Sequence, residues 1–512
     1  MLLGAGAAIA AVLAISLFTA YLDRDGITRA ATPEATAIAV RARRPAMLAT
    51  IPASTSSRAV PDSFLGLSTE YWSLPGYTAH MAQFGRVLSL LHVPGDGPLI
   101  LRVGGNSADH TIWEPTLRTM PRWVFELTPE WLEAARLVVS HVNARLIFDL
   151  NLITDSPSRA AEWARAAEAE LPRRSIVGFE VGNEPDIYSR SFWIAALSRR
   201  GLDPAILPRA LTPRGYVADF RSYARLLQRI APGVPLLGPG IANPAHHASW
   251  ASTLVSRARS QLGIVTAHQY PYTACASPIS PNYPTIGRIL SERASAGLAR
   301  SLEPVVGDAH RAGLPFRLTE LNSVTCGGVP GVSNSFATAL WAPDAMFELL
   351  HAGVDGVNVH VRTDAINAAF AFTRRGLVAR PLLYGLALFR QTLGHDARLE
   401  PVAVSSRHST HVKVWAVQVA GGRLHVLVIN KGGHAATVAL RVAQSGPATV
   451  ERLLAPSAGS TSGVTLGGQW LGADGRWHGR QTHIALEPVD GRYELTIPRF
   501  SAALVGVGGT LA

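Results

Sequence analysis

The sequence predicts a (β/α)8 barrel followed by a C-terminal antiparallel β-sandwich, and three observations support this α/β fold class. Over residues 62–393, short apolar runs rich in β-branched and aromatic residues alternate with amphipathic helical stretches. Eight such runs can be counted, which is the number of strands that a barrel of this kind needs. After residue 393, strand-like runs follow one another with Gly-rich turns and no helical pattern between them, which is typical of a sandwich.

The eight predicted strands of the barrel lie at residues 64–72, 99–106, 145–152, 176–183, 235–240, 264–272, 315–322 and 356–362. Helical periodicity is clearest over residues 129–143, 159–171 and 215–231, where apolar positions recur about every 3.6 residues. An open, doubly wound sheet would also alternate strands with helices. No Gly-rich phosphate loop follows the first strand, so we favour the barrel.

The predicted sandwich spans residues 394–512 and includes runs such as "HVKVWAVQV" and "RLHVLVIN". The segment at residues 36–61 contains the strand-like run "TAIAVRA", which we expect to join the sandwich. Residues 23–35 read as a linker between this segment and the N-terminus.

The N-terminal segment, residues 1–22, contains an uncharged apolar stretch about long enough to cross a bilayer as a helix. No Lys or Arg precedes it, and its small-residue cleavage site is poor. We therefore favour an uncleaved signal-anchor over a cleaved signal peptide, with a buried core helix as a third alternative. Either of the first two places the protein outside the cytoplasm, anchored to the membrane or secreted.

The net charge of +11 comes almost entirely from arginine. A basic protein can attract a polyanion such as nucleic acid or an acidic polysaccharide, but a compositional bias spread over a solvated surface gives the same total. We favour the second interpretation. No nucleic-acid motif is present, so no nucleic-acid partner is predicted.

Polar side chains gather at the predicted C-terminal ends of the strands, where barrel enzymes build their active sites. Carboxylate, amide, phenol and imidazole groups without a metal-ligand cluster indicate sugar chemistry, with no metal and no cofactor. These residues are Glu70, Asn106, Asn183, Glu184, His268, Tyr270, Tyr272, Glu320, His360 and Arg362.

Two glutamates share the stretch "FEVGNEPD" at residues 179–186. Strand alternation points Glu180 and Glu184 to the same inward face, with Glu184 at the mouth and Glu180 deeper. Arg102 on the second strand also points inward. Because a buried charge needs a partner, we predict that Glu180 is a structural partner of Arg102, with a direct catalytic role as the alternative.

Glu184 and Glu320 form the catalytic pair that the sequence predicts. They end the fourth and seventh strands, which lie across the mouth of an eight-stranded barrel. Two carboxyl groups placed there can flank one glycosidic bond, as glycoside hydrolysis requires. The alternative is that either is an ordinary surface acid.

At these residues the sequence resembles the clan A retaining glycosidases and, more narrowly, glycoside hydrolase family 79, the β-glucuronidase and heparanase family. The resemblance covers roughly residues 35–512. The matching motifs are "RVGGNSAD" (102–109), "FEVGNEPD" (179–186), "RLTELNS" (317–323), "GGVPGVSNSFATALW" (327–341) and "RPLLYGLALF" (380–389).

The resemblance implies that Glu184 is the acid/base and Glu320 the nucleophile of a retaining reaction. It implies that Asn183 holds the sugar 2-hydroxyl and that Tyr270 hydrogen-bonds the nucleophile. Asn106, Glu70 and Tyr272 are further expected substrate contacts, with aromatic packing as the alternative for either tyrosine, and His268 is expected to support the site.

The sequence supplies only some of the groups that bind a uronic acid carboxylate in the family. Gly327 matches the glycine pair whose backbone amides serve this purpose in the family, but Thr325 stands where a tyrosine is expected. Arg362 can replace the lost contact because a guanidinium grips a carboxylate bidentately, and an ion pair with Asp364 is the alternative. Cys275 and Cys326 follow neighbouring strands, so we expect a disulfide that pins two loops beside the site.

Together these features predict a retaining β-glycosidase acting on a glycan or glycoconjugate, and an acidic substrate, a β-glucuronide, is favoured. A neutral-sugar glycosidase on the same scaffold and a non-catalytic glycan-binding protein are the alternatives. The aglycone, and the choice between exo and endo action, stay open.

Overall fold

The computed structural model describes most of the chain beyond the N-terminal segment. Within the described part, no helix combines the length and the apolar character needed to cross a bilayer. The predicted N-terminal membrane or signal segment, the linker and the strand-like run "TAIAVRA" lie outside the described residues. The described residues are 45, 47–53, 57–93, 95–115, 119–188, 198, 201, 211–406, 411–443 and 446–508.

Eight parallel strands close into a barrel in the order in which they occur along the chain. The last strand pairs with the first, Val357 opposite Leu65, and this closes the ring. The predicted fold class is confirmed. The strands are β1 (Leu65–Glu70), β2 (Leu99–Gly104), β3 (Ala144–Leu150), β4 (Ile176–Val181), β5 (Leu236–Ile241), β6 (Ile264–Gln269), β7 (Phe316–Leu321) and β8 (Gly356–His360).

Helices surround the barrel and bury their apolar faces against it. Three of them begin with proline at the first position after a capping hydroxyl: Thr128, Ser156 and Thr212 each accept a backbone N–H of the first turn. The α-helices are Leu74–Thr78, Met81–Leu91, Pro129–His141, Pro157–Glu170, Pro213–Ile230, Pro244–Ala258, Ile286–Ile289, Ala296–Arg311, Phe336–His351 and Pro381–Leu393. Short 3-10 turns lie at Tyr71–Ser73, Gly105–His110, Pro185–Ile187, Glu292–Ala294 and Ala420–Gly422.

Twelve further strands of the described residues build a two-sheet sandwich whose facing sides bury aliphatic residues such as Val426, Val428 and Leu440. The segment Met47–Ile51 pairs with strands on both its sides, so the chain before the barrel contributes to the sandwich. The smaller sheet has the order Ala403–Ser406, Met47–Ile51, Ala436–Val442, Tyr493–Ile497. The larger has the order Arg58–Ala59, Arg398–Glu400, Val412–Val419, Arg423–Asn430, Ser501–Val507, Ala448–Leu454, Thr465–Leu466, with Ile484–Leu486 paired to Ala448–Leu454.

Four two-stranded ribbons complete the described structure. They are Thr111–Trp113 with Phe125–Leu127, Tyr272–Thr273 with Val324–Thr325, Phe370–Thr373 with Gly376–Ala379, and Trp470–Leu471 with Trp477–His478.

Barrel and sandwich meet through a stacked aromatic pair and a buried ion pair. The ring of Phe347 lies on that of Trp415 with centroids 5.4 Å apart. Beside it, Lys431 Nζ contacts Asp344 Oδ2 at 2.7 Å, and both side chains are almost fully buried. A buried charge without its partner is strongly destabilising, so this pair favours one docking geometry of the two parts.

Candidate active site

The C-terminal ends of the barrel strands open into a cavity of about 530 Å³. Its wall brings together most of the residues that the sequence predicts, although they come from six different strands or the loops that follow them. Those predicted residues are Glu70, Asn106, Glu184, Tyr270, Cys275, Glu320, Cys326, Gly327 and Arg362.

Glu184 and Glu320 face each other across this cavity. Three atoms lie within 4.8 Å of one another: a carboxylate oxygen of Glu184, a carboxylate oxygen of Glu320 and a ring nitrogen of His268. Retaining glycosidases hold their two carboxyl groups about 5–5.5 Å apart, whereas inverting enzymes need about 6.5–9.5 Å to admit a water. The spacing is therefore of the retaining kind.

The backbone around Glu184 differs from the expected continuous strand. β4 ends at Val181, and Gly182 and Glu184 both have positive φ, +83° and +53°. The Glu184 N–H donates to the Gly240 carbonyl at 3.0 Å, and Pro185 then begins a 3-10 turn. Simple alternation therefore does not aim Glu184. The direction of its side chain is set by the left-handed backbone conformation of Glu184 itself. This conformation costs energy for a residue other than glycine and is concentrated at functional sites.

Arg102 lies at the centre of a buried network beneath the cavity. Its Nε donates to Glu180 Oε2 at 2.6 Å, and both side chains are fully buried. This contact confirms the predicted pairing of Arg102 with Glu180. The same guanidinium also donates to Glu320 Oε2 at 3.1 Å and to Asp149 Oδ2 at 2.9 Å, and the sequence does not predict the contact with Asp149.

Glu320 is held in its ionised form by its neighbours. The Tyr270 hydroxyl donates to Oε1 at 2.5 Å, which is the bond expected from the family resemblance. Burial raises the pKa of Glu320, but the charges of His360, His268 and Arg102 and the Tyr270 hydrogen bond lower it to about 2. The carboxylate is therefore available as a nucleophile.

Glu184 has the opposite electrostatics. Burial raises its pKa above the usual value, a hydrogen bond from His268 offsets part of the rise, and the negative charge of Glu320 adds to it. His268 Nδ1 lies 3.0 Å from Glu184 Oε1. Two carboxyl groups whose pKa values are pushed apart in this way are suited to different tasks, one as proton donor and one as anion.

Glu70 and His360 form a second charged pair in the cavity wall. Glu70 Oε2 accepts the Ser107 N–H at 2.7 Å, and Oε1 lies 3.7 Å from His360 Nε2. Burial lowers the pKa of His360, but the carboxylates of Glu320 and Glu70 raise it above its usual value. His360 was recognised only as a polar strand end; its position on β8, facing the nucleophile, gives it an electrostatic role.

Two predicted substrate contacts lie outside the cavity wall. Asn183 is buried, with Oδ1 accepting from Arg102 at 3.1 Å and Nδ2 3.4 Å from Asn106 Oδ1. Tyr272 is also buried, and its hydroxyl lies 3.1 Å from Ser291 Oγ. The structure does not bring Tyr272 to the cavity wall, because alternation within Tyr272–Thr273 turns Thr273 to the cavity and Tyr272 to the core.

The loops after β6 and β7 are joined beside the nucleophile. Cys275 and Cys326 form a disulfide bond, the pairing that their positions predict, and both residues line the cavity. A short parallel ribbon, Tyr272 opposite Val324, links the same loops next to the disulfide.

Arg362 occupies the cavity wall next to the glycine pair. A Cβ built on Gly327 would lie 3.1 Å from Arg362 Nη2, so the guanidinium packs over the glycine backbone. Its Nε is 3.1 Å from Asp364 Oδ1, the ion pair that the sequence left as an alternative. Asp364 is 63% exposed, and an ion pair with so exposed a partner contributes little.

Glu184, His268 and Glu320 are also close enough to ligate a metal ion. The cationic guanidinium of Arg102 already bonds to Glu320, and His268 already bonds to Glu184. These contacts already engage all three side chains, and the positive charge of Arg102 opposes the binding of a cation.

A closed (β/α)8 barrel with a sandwich, and two carboxyl groups at retaining distance across its mouth, define the chain as a retaining glycoside hydrolase. No protein-family model matches the sequence. A β-glucuronidase from Aspergillus niger is 23% identical over 521 residues, covering 88% of this chain and 93% of that protein.

Solved structures share the fold. A 4-O-α-L-rhamnosyl-β-D-glucuronidase from Fusarium oxysporum 12S superimposes with a TM-score of 0.72 at 18% identity, over 90% of this chain and 100% of that one. A family 51 arabinofuranosidase from Xanthomonas axonopodis pv. citri gives a TM-score of 0.65 at 16% identity, over 90% and 99%. The similarity to the Aspergillus niger β-glucuronidase supports the resemblance to the family 79 glycoside hydrolases, and the solved structures confirm the fold.

Proposed function

We propose that this enzyme hydrolyses β-glucuronides with retention of configuration, Glu320 acting as nucleophile and Glu184 as acid/base. The observation that carries the proposal is the Glu184–Glu320 pair, whose oxygens lie within 4.8 Å while their pKa values are shifted in opposite directions. The glucuronide substrate is supported by the activity of the Aspergillus niger and Fusarium oxysporum relatives.

In the first step the Glu320 carboxylate attacks the anomeric carbon while protonated Glu184 gives its proton to the glycosidic oxygen. The C–O bond to the aglycone breaks, and a glycosyl ester forms on Glu320. In the second step Glu184, now ionised, takes a proton from a water that attacks the same carbon. The ester bond breaks, the sugar leaves with its original configuration, and both glutamates regain their starting protonation.

The other residues position these groups. Arg102 and Tyr270 hold the two oxygens of Glu320 and favour its charged form. Glu70 and Asn106 line the cavity and are the proposed ligands of sugar hydroxyls. Asn183 directs its amide nitrogen toward Asn106 at the cavity edge, so we keep it as the proposed partner of the 2-hydroxyl.

Specificity for a uronate rests on two cationic side chains at the end of β8. Arg362 lines the cavity beside Gly327, and His360 has its pKa raised by the surrounding carboxylates. The ion pair of Arg362 with the exposed Asp364 is weak, so its guanidinium can exchange that partner for a substrate carboxylate. The missing tyrosine at Thr325 keeps a neutral-sugar glycosidase as the second candidate.

The substitution Arg362→Ala separates these candidates. On an aryl β-glucuronide we expect kcat/KM to fall about 10- to 100-fold, since a hydrogen bond to a charged group contributes about 1.5–3 kcal/mol. On the matching aryl β-glucoside it should not change. The matched control is Asp364→Ala, which removes only the competing partner. An equal loss on both substrates would contradict a role for Arg362 in uronate recognition.

The reaction itself is tested with aryl β-glucuronide, β-glucoside and β-xyloside, and with proton NMR of the first-formed sugar. We expect turnover of the glucuronide with the β-anomer appearing first. Turnover of only neutral sugars would support the second candidate, and an α-anomer would exclude retention. No turnover of any substrate would instead favour a glycan-binding protein.

We further propose an extracytoplasmic location, because a disulfide persists in an oxidising compartment. The predicted signal-anchor would then hold the enzyme at the membrane. Fractionation of cells that express the full chain tests this location. An anchored enzyme should sediment with the membranes and be degraded by protease added outside the cell, and a cleaved enzyme should be released. An enzyme found in the cytoplasm would contradict the proposal.

A further inference from the structure

A second cavity, of about 410 Å³, lies between the barrel and the sandwich. One wall comes from the barrel, at Ala379, Pro381 and Tyr384. The other comes from the sandwich, at residues 461–465, Trp470 and Leu471. We call it the Trp470 cleft. Its volume is within the range of pockets that hold small ligands.

Trp470 offers an exposed aromatic surface to this cleft. Its side chain is 49% exposed, and one face is supported by the His478 ring, with centroids 6.3 Å apart and planes 24° from parallel. His478 is itself fixed by Asp474, Nε2 to Oδ1 at 2.9 Å. A Cβ on Gly479 would lie 2.6 Å from the indole, so glycine there lets the ring rest against the backbone. The His478 ring and the Gly479 backbone therefore both pack against the indole.

The two walls are fastened to each other by hydrogen bonds. The Leu471 N–H donates to the Tyr384 hydroxyl oxygen at 2.9 Å. On the other side, the N–H groups of Phe336 and Ala337 donate to the carbonyls of Ser460 and Ala458, both at 2.8 Å. A cleft whose walls are already ordered loses little conformational entropy when it binds, which favours affinity.

The chemistry of the cleft fits an uncharged, hydroxyl-rich ligand. Thr461, Ser462 and Thr465 supply side-chain hydroxyl groups that can donate and accept hydrogen bonds. Of the residues that the structure describes, no Asp, Glu, Lys or Arg lines the cleft. An indole next to hydroxyl groups is the pairing that a pyranose ring requires, since its axial hydrogens form an apolar face and its hydroxyls form a polar rim.

The Trp470 cleft lies at the same edge of the barrel as the active-site cavity. The helix Pro381–Leu393 follows β8, and Phe336–His351 follows β7, so both begin at the end of the barrel where the strands finish. Pro381 lines the cleft, and the Phe336 N–H donates to Ser460, directly before the cleft-lining residues 461–465. A chain-like substrate could therefore extend from one site toward the other.

We propose that the Trp470 cleft is a second glycan-binding site, which takes neutral β-1,4-linked pyranose units of the glycan that carries the cleaved sugar. Such units have equatorial linkages, so a flat apolar face is presented to the indole. The link to the substrate rests on the proposed function, whereas binding of the neutral chain does not.

The test uses the full chain carrying Glu320→Gln, with cellohexaose and xylohexaose as probes in titration calorimetry. We expect at least one hexasaccharide to bind, and Trp470→Ala in the same background to weaken binding by about tenfold or more. Ile484→Ala is the matched control, because Ile484 is also 49% exposed on the sandwich and does not line the cleft. Trp470→Phe should retain part of the affinity.

Turnover of an aryl β-glucuronide by Trp470→Ala in the otherwise wild-type chain should equal that of the unaltered enzyme. A failure of both hexasaccharides to bind, or equal binding by the Trp470→Ala and Ile484→Ala variants, overturns the second site. A loss of aryl-glucuronide turnover in Trp470→Ala also overturns it, because the cleft would then not be separate. Hexasaccharide binding without any glucuronide turnover would overturn the proposed function alone.

Discussion

The phenol of Tyr270 donates a 2.5 Å hydrogen bond to Oε1 of Glu320. The bond stabilises the carboxylate, and together with Arg102, His268 and His360 it holds the pKa of Glu320 far below its usual range. Glu320 is thus kept ionised by the positive charges of side chains on strands β2, β6 and β8 and by a hydrogen bond from the loop after β6.

Replacing Tyr270 by Phe removes this donor. The pKa of Glu320 then rises, so the acidic limb of the kcat/KM profile moves to higher pH, and the maximum falls about 10- to 100-fold. Tyr272→Phe is the matched control, since it removes a buried hydroxyl outside the cavity wall. Identical profiles for the Tyr270→Phe variant and the unaltered enzyme would show that the bond has no catalytic consequence.

The two glutamates should fail in different ways. Glu184→Gln loses the proton donor, so we expect turnover to fall about 10²- to 10⁴-fold on an aryl glucuronide with a poor leaving group, and far less on one whose leaving group needs no proton. Glu320→Gln should abolish turnover of both, because no glycosyl ester can form. Steady-state rates on the two aryl glucuronides decide this, and equal losses in the two variants would argue against the assigned roles.

His268 controls the pH range of both carboxyl groups. Its hydrogen bond lowers the pKa of Glu184, and its charge lowers that of Glu320. In His268→Ala both pKa values should rise. The basic limb, where Glu184 loses its proton, and the acidic limb, where Glu320 gains one, should then both move to higher pH. The exposed His310 provides a control substitution to Ala, and a shift of only one limb would separate the two effects.

Arg102 is expected to matter for stability as well as activity. Arg102→Met would leave Glu180, Asp149 and Glu320 without their shared counter-ion, and breaking a buried pair costs about 3–5 kcal/mol. Urea denaturation should therefore show a large fall in the free energy of unfolding. Arg136→Ala, at an exposed pair with Glu133, is the comparison that should leave stability unchanged. Equal midpoints for the two variants would contradict the importance of the network.

The Cys275–Cys326 bond closes a loop with a sequence separation of 51 residues, so its loss should lower the free energy of unfolding by about 2–4 kcal/mol. Because both cysteines line the cavity, we also expect the double Cys→Ser variant to bind an aryl glucuronide more weakly. Thiol labelling of the unreduced protein should find no free thiol. Two reactive thiols, or an unaltered KM in the double variant, would contradict a role for the disulfide in shaping the cavity.

Much of the site follows from local patterns in the sequence. The alternation of apolar runs with helical periods predicts eight strands, and the residues at their ends then share one edge of the barrel. Period-two alternation places Arg102 and Glu180 on the inward face, which is why their contact could be predicted. The disulfide could be predicted because the two cysteines follow neighbouring strands, whose ends lie side by side at the edge of the barrel.

The details that alternation does not govern required the folded chain. Tyr272 was expected at the substrate, but a short ribbon after β6 reverses which side chain faces the cavity. Asp149 was not anticipated because nothing in its own strand shows that Arg102 has room for a further carboxylate. The Trp470 cleft joins residues about 90 positions apart, so no local pattern indicates it.

The sequence by itself determined the barrel, the sandwich and the candidate carboxyl groups, because hydrophobic periodicity and strand ends are local properties. Only the tertiary structure decided how those groups differ, since a pKa depends on which charges surround a side chain in space. Glu184 and Glu320 are both glutamates at strand ends. Burial raises the pKa of the first and outweighs the lowering effect of His268, whereas His360, His268, Arg102 and Tyr270 together lower that of the second.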